Sequence, residues 1–129
     1  MQGSFRMDER RTLRVSEAVR EELVEIIGFE MDDPRVFEVE VTEVTVSPDS
    51  RHATVKIGCR GDERRQNAAV AALEHAAGYL RRELASRLLL RHVPELHFER
   101  DKNPEVESRV DFLLRRARKS KGREEKQSG

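Results

Sequence analysis

Residues 63–91 could form one helix, and a small domain has little room for a helix of that length. Apolar side chains recur at helical spacing through Ala69, Leu73, Ala76, Ala77, Leu80, Leu84 and Leu88, giving a single stripe. Unbroken, it would run to about 29 residues, far beyond the ordinary helix of a globular protein. Gly78 stands near its middle, next to Ala76 and Ala77. Glycine weakens a helix interior by roughly 1 kcal/mol relative to alanine. The pattern therefore predicts a kink at Ala76–Gly78 and two helices meeting at small residues.

The flanking segments supply the layer on which such a pair can fold. Val15, Val19, Leu23, Ile26, Ile27 and Met31 make one stripe of a helix over residues 12–31, with Glu17, Glu21, Glu22 and Glu25 opposite. Asp32-Asp33-Pro34 ends it, because a proline disfavours a helical residue before it. Residues 36–47 are β-branched. Val39 and Val41 share one parity and Val44 and Val46 the other, so a bulge is expected near Thr42-Glu43. Ser47-Pro48-Asp49-Ser50 is a turn, and Ala53, Val55, Ile57 and Cys59 then alternate on one face of a second strand, completing a hairpin. Asp62 is placed to cap the next helix. A third strand is expected over 93–99, with Leu96 and Phe98 inward and Pro94 at its start. A last amphipathic helix is expected over 105–117. The domain should span 10–114, with a flexible start at 1–9 and a disordered basic tail at 115–129.

The chain carries 25 basic and 25 acidic residues in 129, and the zero sum conceals a gradient. Residues 1–43 carry −6, residues 44–78 carry +1 and residues 79–129 carry +5. A basic face is thus compatible with a neutral total. Cys59 is the sole cysteine, which leaves no intrachain disulfide and no CxxC metal framework. There is no apolar leader and no run approaching a membrane span, so a cytoplasmic protein without a membrane partner is expected.

Catalytic patterns are thin. The sequence has no HExxH, GxGxxG or P-loop motif. His92, Glu95 and His97 fall near a strand start, but His92 and His97 have opposite parity and should not converge on a metal. The single tyrosine and five phenylalanines are scattered, which argues against a stacking platform for bases. The helix junction is more informative. A second helix starting after it would present free N–H groups and the positive end of its dipole. Arg81 and Arg82 follow there, where acids are the usual choice. A docking phosphate explains that arrangement; close packing of small residues and solvated arginines explain it without a ligand. Arg87 and Arg91 extend a basic band around the helix rather than a row of ligands.

The order α-β-β-α-α-β with a signature between the paired helices resembles the type II KH domain, an α+β fold with a three-stranded sheet. Such domains hold a nucleic-acid backbone at GxxG; this chain has Ala76-Ala77-Gly78. That AxG junction looks like the ribosome-binding factor A family. Asp33-Pro34-Arg35, Val41 to Asp49, and Leu88-Leu89-Leu90-Arg91-His92-Val93-Pro94-Glu95-Leu96-His97-Phe98 followed by Asp101 agree with that family's pattern. The resemblance covers about residues 10–114.

The resemblance implies a monomeric, non-catalytic factor without a cofactor. It would bind the free small ribosomal subunit and assist late maturation and 5′-end processing of its rRNA, with ribosomal proteins and a release GTPase as further partners left open. The RNA-facing residues expected on this reading are Ala76, Ala77, Gly78, Arg81, Arg82, Arg87 and Arg91, with Arg10, Arg11, Arg14 and the tail as auxiliaries. Three rivals remain at this level: a KH-type regulator of messenger or small RNA, an adaptor whose acidic helix docks a basic protein, and a small hydrolase or rRNA-modifying enzyme, for which the sequence offers no polar constellation.

Overall fold

A computed structural model describes residues 7–90 and 92–101. Arg91, the expected helix over 105–117 and the basic tail lie outside the described residues. The elements run α1 (Glu9–Glu25), a π turn (Ile26–Glu30), a 3₁₀ turn (Pro34–Val36), β1 (Val39–Val46), β2 (His52–Cys59), α2 (Glu63–His75), α3 (Ala77–Arg87) and β3 (Glu95–Arg100).

Met7 is buried and its N–H donates to the Pro48 carbonyl at 2.8 Å. Asp8 caps α1 by accepting from the Arg11 N–H at 2.8 Å. The far end of α1 widens into the π turn, closed by the Met31 N–H on the Ile26 carbonyl. Both Ile26 and Ile27 are buried there. Asp33 caps the 3₁₀ turn with Pro34 at its first position.

The sheet has the order β1-β2-β3, with β1 antiparallel and β3 parallel to the central β2. The register of β1 on β2 slips between Val41 and Glu43, where the parity change predicts it. The slip keeps Val39, Val41, Val44 and Val46 all buried although they straddle both parities. At the bulge the Thr42 hydroxyl donates to the Lys56 carbonyl at 3.1 Å. The inner face adds Ala53, Val55, Ile57, Leu96 and Phe98, and against it lie Val19 and Leu23 of α1, Ala69, Ala72 and Leu73 of α2, and Leu80 and Leu84 of α3. One buried polar contact ties layer to layer: the Val46 N–H donates to Ser16 Oγ at 2.9 Å. The outer face is polar, and His52, Glu95, His97 and Glu99 are exposed there.

The parallel β2–β3 pair requires a crossover, which α2 and α3 provide. Asp62 caps α2 by accepting from the Arg65 N–H at 2.9 Å, as its position predicts. The backbone breaks at Ala76 rather than at Gly78. Ala76 sits at φ −89° and ψ 4°, the bridge region, and Gly78 is already helical. The turn is therefore made in a conformation open to residues with a side chain, and the freedom of glycine is not spent on it.

Candidate nucleic-acid interface

The break creates a helix start without a side-chain cap. The Ala76 N–H still bonds back into α2, and α3 closes its first turn with the Leu80 N–H on the Ala76 carbonyl at 2.9 Å. No acid stands in the first turn of α3. Ala76 and Ala77 are half-buried against the core, whereas Gly78 is exposed. A methyl group at Gly78 would meet nothing nearer than the Arg82 guanidinium, at 3.6 Å. The missing side chain thus serves no internal packing. It leaves bare backbone at the surface, with a cation folded toward it.

The three arginines of the band among the described residues part company. Arg82 is exposed, lies beside Gly78 and has no carboxylate partner among the described residues. Arg81 is exposed too, and its guanidinium donates to the Val93 carbonyl at 3.1 Å, linking α3 to the segment before β3. Arg87 turns the other way. It pairs with Glu30 of the π turn, with Glu83 at 3.0 Å and with Glu22 of α1 at 3.6 Å. The Glu30 and Glu83 carboxylates, in that order, raise its pKa further above an already high value. The geometry thus makes Arg87 a clasp between α3 and the acidic first helix, and sequence spacing alone did not separate it from Arg81 and Arg82. Arg91 lies outside the described residues.

Of the auxiliaries, Arg11 and Arg14 line an open hollow of about 460 Å³ with Met7, Val15, Ala18, Ser50, Leu89 and Leu90. Leu89 and Leu13 are exposed. Cys59 is half-buried, and burial, followed by the nearby Glu38 charge, raises its pKa, which keeps the thiol protonated and poorly nucleophilic. His92 precedes β3, and His97 lies within it. What parity along one strand could not show is the neighbouring strand: His52 of β2 meets His97 of β3 on the outer face, with Glu95 beside them.

These features define a class: an α+β, KH-like domain in which an AxG helix junction stands where GxxG would hold a nucleic-acid backbone. Residues 11–114 match the family model for ribosome-binding factor A. A Solibacter usitatus protein of that name is 85% identical over 122 residues, covering 95% of this chain and 99% of its own. The crystal structure of ribosome-binding factor A from Thermus thermophilus, 28% identical, aligns with a TM-score of 0.63 over 69% of this chain and 94% of that one. A homology model of the Thermus thermophilus factor, as fitted into a cryo-EM map of its 30S complex, aligns with a TM-score of 0.51 at 28% identity, over 69% and 89% of the two chains. The chain belongs to the ribosome-binding factor A family.

Proposed function

We propose that this protein binds the free small (30S) ribosomal subunit and assists late maturation and 5′-end processing of its 16S rRNA, without catalysing a reaction itself. The observation that carries the reading is the bare, uncapped start of α3, with exposed Gly78 beside Arg82 in a chain of this family. A phosphate there meets free N–H groups, the positive end of a helix dipole and a guanidinium. Ala76, Ala77 and Gly78 supply the close backbone approach, and Arg82 and Arg81 the charge. Arg87 stays with its three carboxylates and holds α3 in place. Arg91 and the arginines of the hollow beside α1 extend the contact. Recognition is by backbone and shape, since among the described residues Tyr79 is the one exposed Phe, Tyr or Trp beside the junction and a single ring makes no stacking platform. The protein acts in the cytoplasm as a monomer, and the acidic face of α1 is left for ribosomal proteins or a release factor.

Cosedimentation tests this directly. The protein should travel with free small subunits in a gradient and be absent from assembled ribosomes. Nuclease treatment should release it; survival of the complex would favour an adaptor that docks protein alone. Travel with messenger or small RNA, and not with subunits, would favour the KH-type regulator.

Gly78→Ala separates stability from binding. The residue is helical and its Cβ position is open, so alanine should stabilise the fold by up to about 1 kcal/mol. The added methyl also covers the approach to the backbone, so affinity for small subunits should fall several-fold. Denaturant unfolding and subunit binding on the same variant give both numbers, and unchanged affinity would remove the phosphate from Gly78.

A further inference from the structure

We infer that the outer face of the sheet carries a transition-metal site, formed by His52, His97 and Glu95. His52 lies on β2 opposite Glu95 of β3, and His97 follows on the next rung of the same face, opposite Thr54. His52 Nδ1 and His97 Nε2 stand 3.0 Å apart, and one ligand atom from each of the three side chains lies within 4.8 Å of the others. All three side chains are exposed, so an ion can enter from solvent.

The donor set selects the ion. Two imidazoles and a carboxylate suit zinc, nickel or copper; magnesium and calcium prefer oxygen shells. Two nitrogens bound to one tetrahedral zinc at 2.0–2.1 Å lie about 3.3 Å apart. The existing pair needs to open by only a few tenths of an ångström, and the Glu95 side chain needs to swing inward. In the metal-free pair one nitrogen donates a hydrogen to the other; to bind zinc through both, the donor ring gives that proton to solvent and takes one back on its other nitrogen, so both imidazoles stay neutral and each offers one lone pair. Water completes the shell, as in three-ligand zinc sites generally. The nearest cation farther along β2 on this face, Lys56, stands opposite Glu99 and pairs with Glu43 at 3.8 Å, so it does not compete for Glu95. Cys59 belongs to the opposite parity of β2 and is not part of the set.

The site joins the two strands that pair in parallel across the α2–α3 crossover. Metal bound there is a clasp on β3, whose His97 stands 45 residues away in sequence from its partner histidine. Because zinc would bind the folded sheet and find no such arrangement in the unfolded chain, it should stabilise the fold.

The test uses the full chain, stripped with chelator and titrated with zinc chloride alone. One equivalent should bind, and the thermal midpoint should rise by roughly 10 °C at a hundredfold excess over the dissociation constant. His52→Ala and His97→Ala should each weaken binding at least about tenfold and abolish the midpoint rise. Their exposed positions leave the core untouched, which circular dichroism checks. His75→Ala with His92→Ala, and Cys59→Ser, should bind as the parent does. The site is overturned if the parent takes up no zinc at about 100 μM, if either cluster variant binds like the parent, or if the His75/His92 or Cys59 changes remove the binding.

Discussion

Arg81→Glu combined with Arg82→Glu is expected to lower affinity for free small subunits by roughly a hundredfold or more while leaving the fold intact. A charge-assisted hydrogen bond is worth about 1.5–3 kcal/mol, so losing two passes a hundredfold before repulsion is counted. Each lost phosphate contact should also flatten the dependence of log affinity on log salt by about 0.7–0.9. The double variant should therefore lose about 1.5 units of slope. Arg82→Glu alone should account for the larger share, since Arg82 has no carboxylate partner among the described residues whereas Arg81 also holds the Val93 carbonyl. Arg87→Gln is the matched contrast. Its partners are Glu22, Glu30 and Glu83, so its loss should lower the thermal midpoint, less so in high salt, and change subunit affinity by no more than about twofold. Equilibrium binding at two or three salt concentrations distinguishes these outcomes. Undiminished affinity of the double variant would place the interface elsewhere on the molecule.

That contrast marks the limit of what the sequence discloses. Local rules act over a few residues and were legible. The phase slip at Thr42 announced the bulge because a strand has a period of two, and Asp62 announced a cap because a helix start needs an acceptor. The break between α2 and α3 was legible to within two residues. Its position at Ala76 follows from how the two helices must both reach the sheet, a tertiary demand that overrides the weak helix propensity of Gly78. Non-local pairings were not legible. Arg87 finds Glu30 across 57 residues, and His52 finds His97 across 45. Neither follows from spacing, because each depends on register and packing set by the whole fold. The result is that Arg87, Arg81 and Arg82 look alike in sequence and differ in their partners.

The largest effect on the fold itself is expected from Leu84→Ala. Leu84 has no exposed surface and sits in the core cluster with Leu80, Leu23, Ile57 and Leu73. Truncating a fully buried leucine costs about 2–5 kcal/mol, as lost transfer energy plus the cavity left behind. A domain of this size holds only about 5–15 kcal/mol in total, so at central values roughly a third of the stability is at stake. Leu88→Ala should cost less than half as much, although the two residues share one stripe in the sequence. Leu88 has already left the helix, in extended conformation at its end, and is only partly buried. Urea unfolding should show the Leu84→Ala midpoint displaced well below that of Leu88→Ala with unchanged slope, since neither variant alters the surface exposed on unfolding. Because α3 carries both Leu84 and the proposed phosphate contacts, Leu84→Ala should bind subunits normally at temperatures where it remains folded, and lose binding in step with its unfolding curve. Binding lost while the circular dichroism signal persists would mean that α3 can detach before the domain melts, and that the interface depends on this helix being held rather than merely formed.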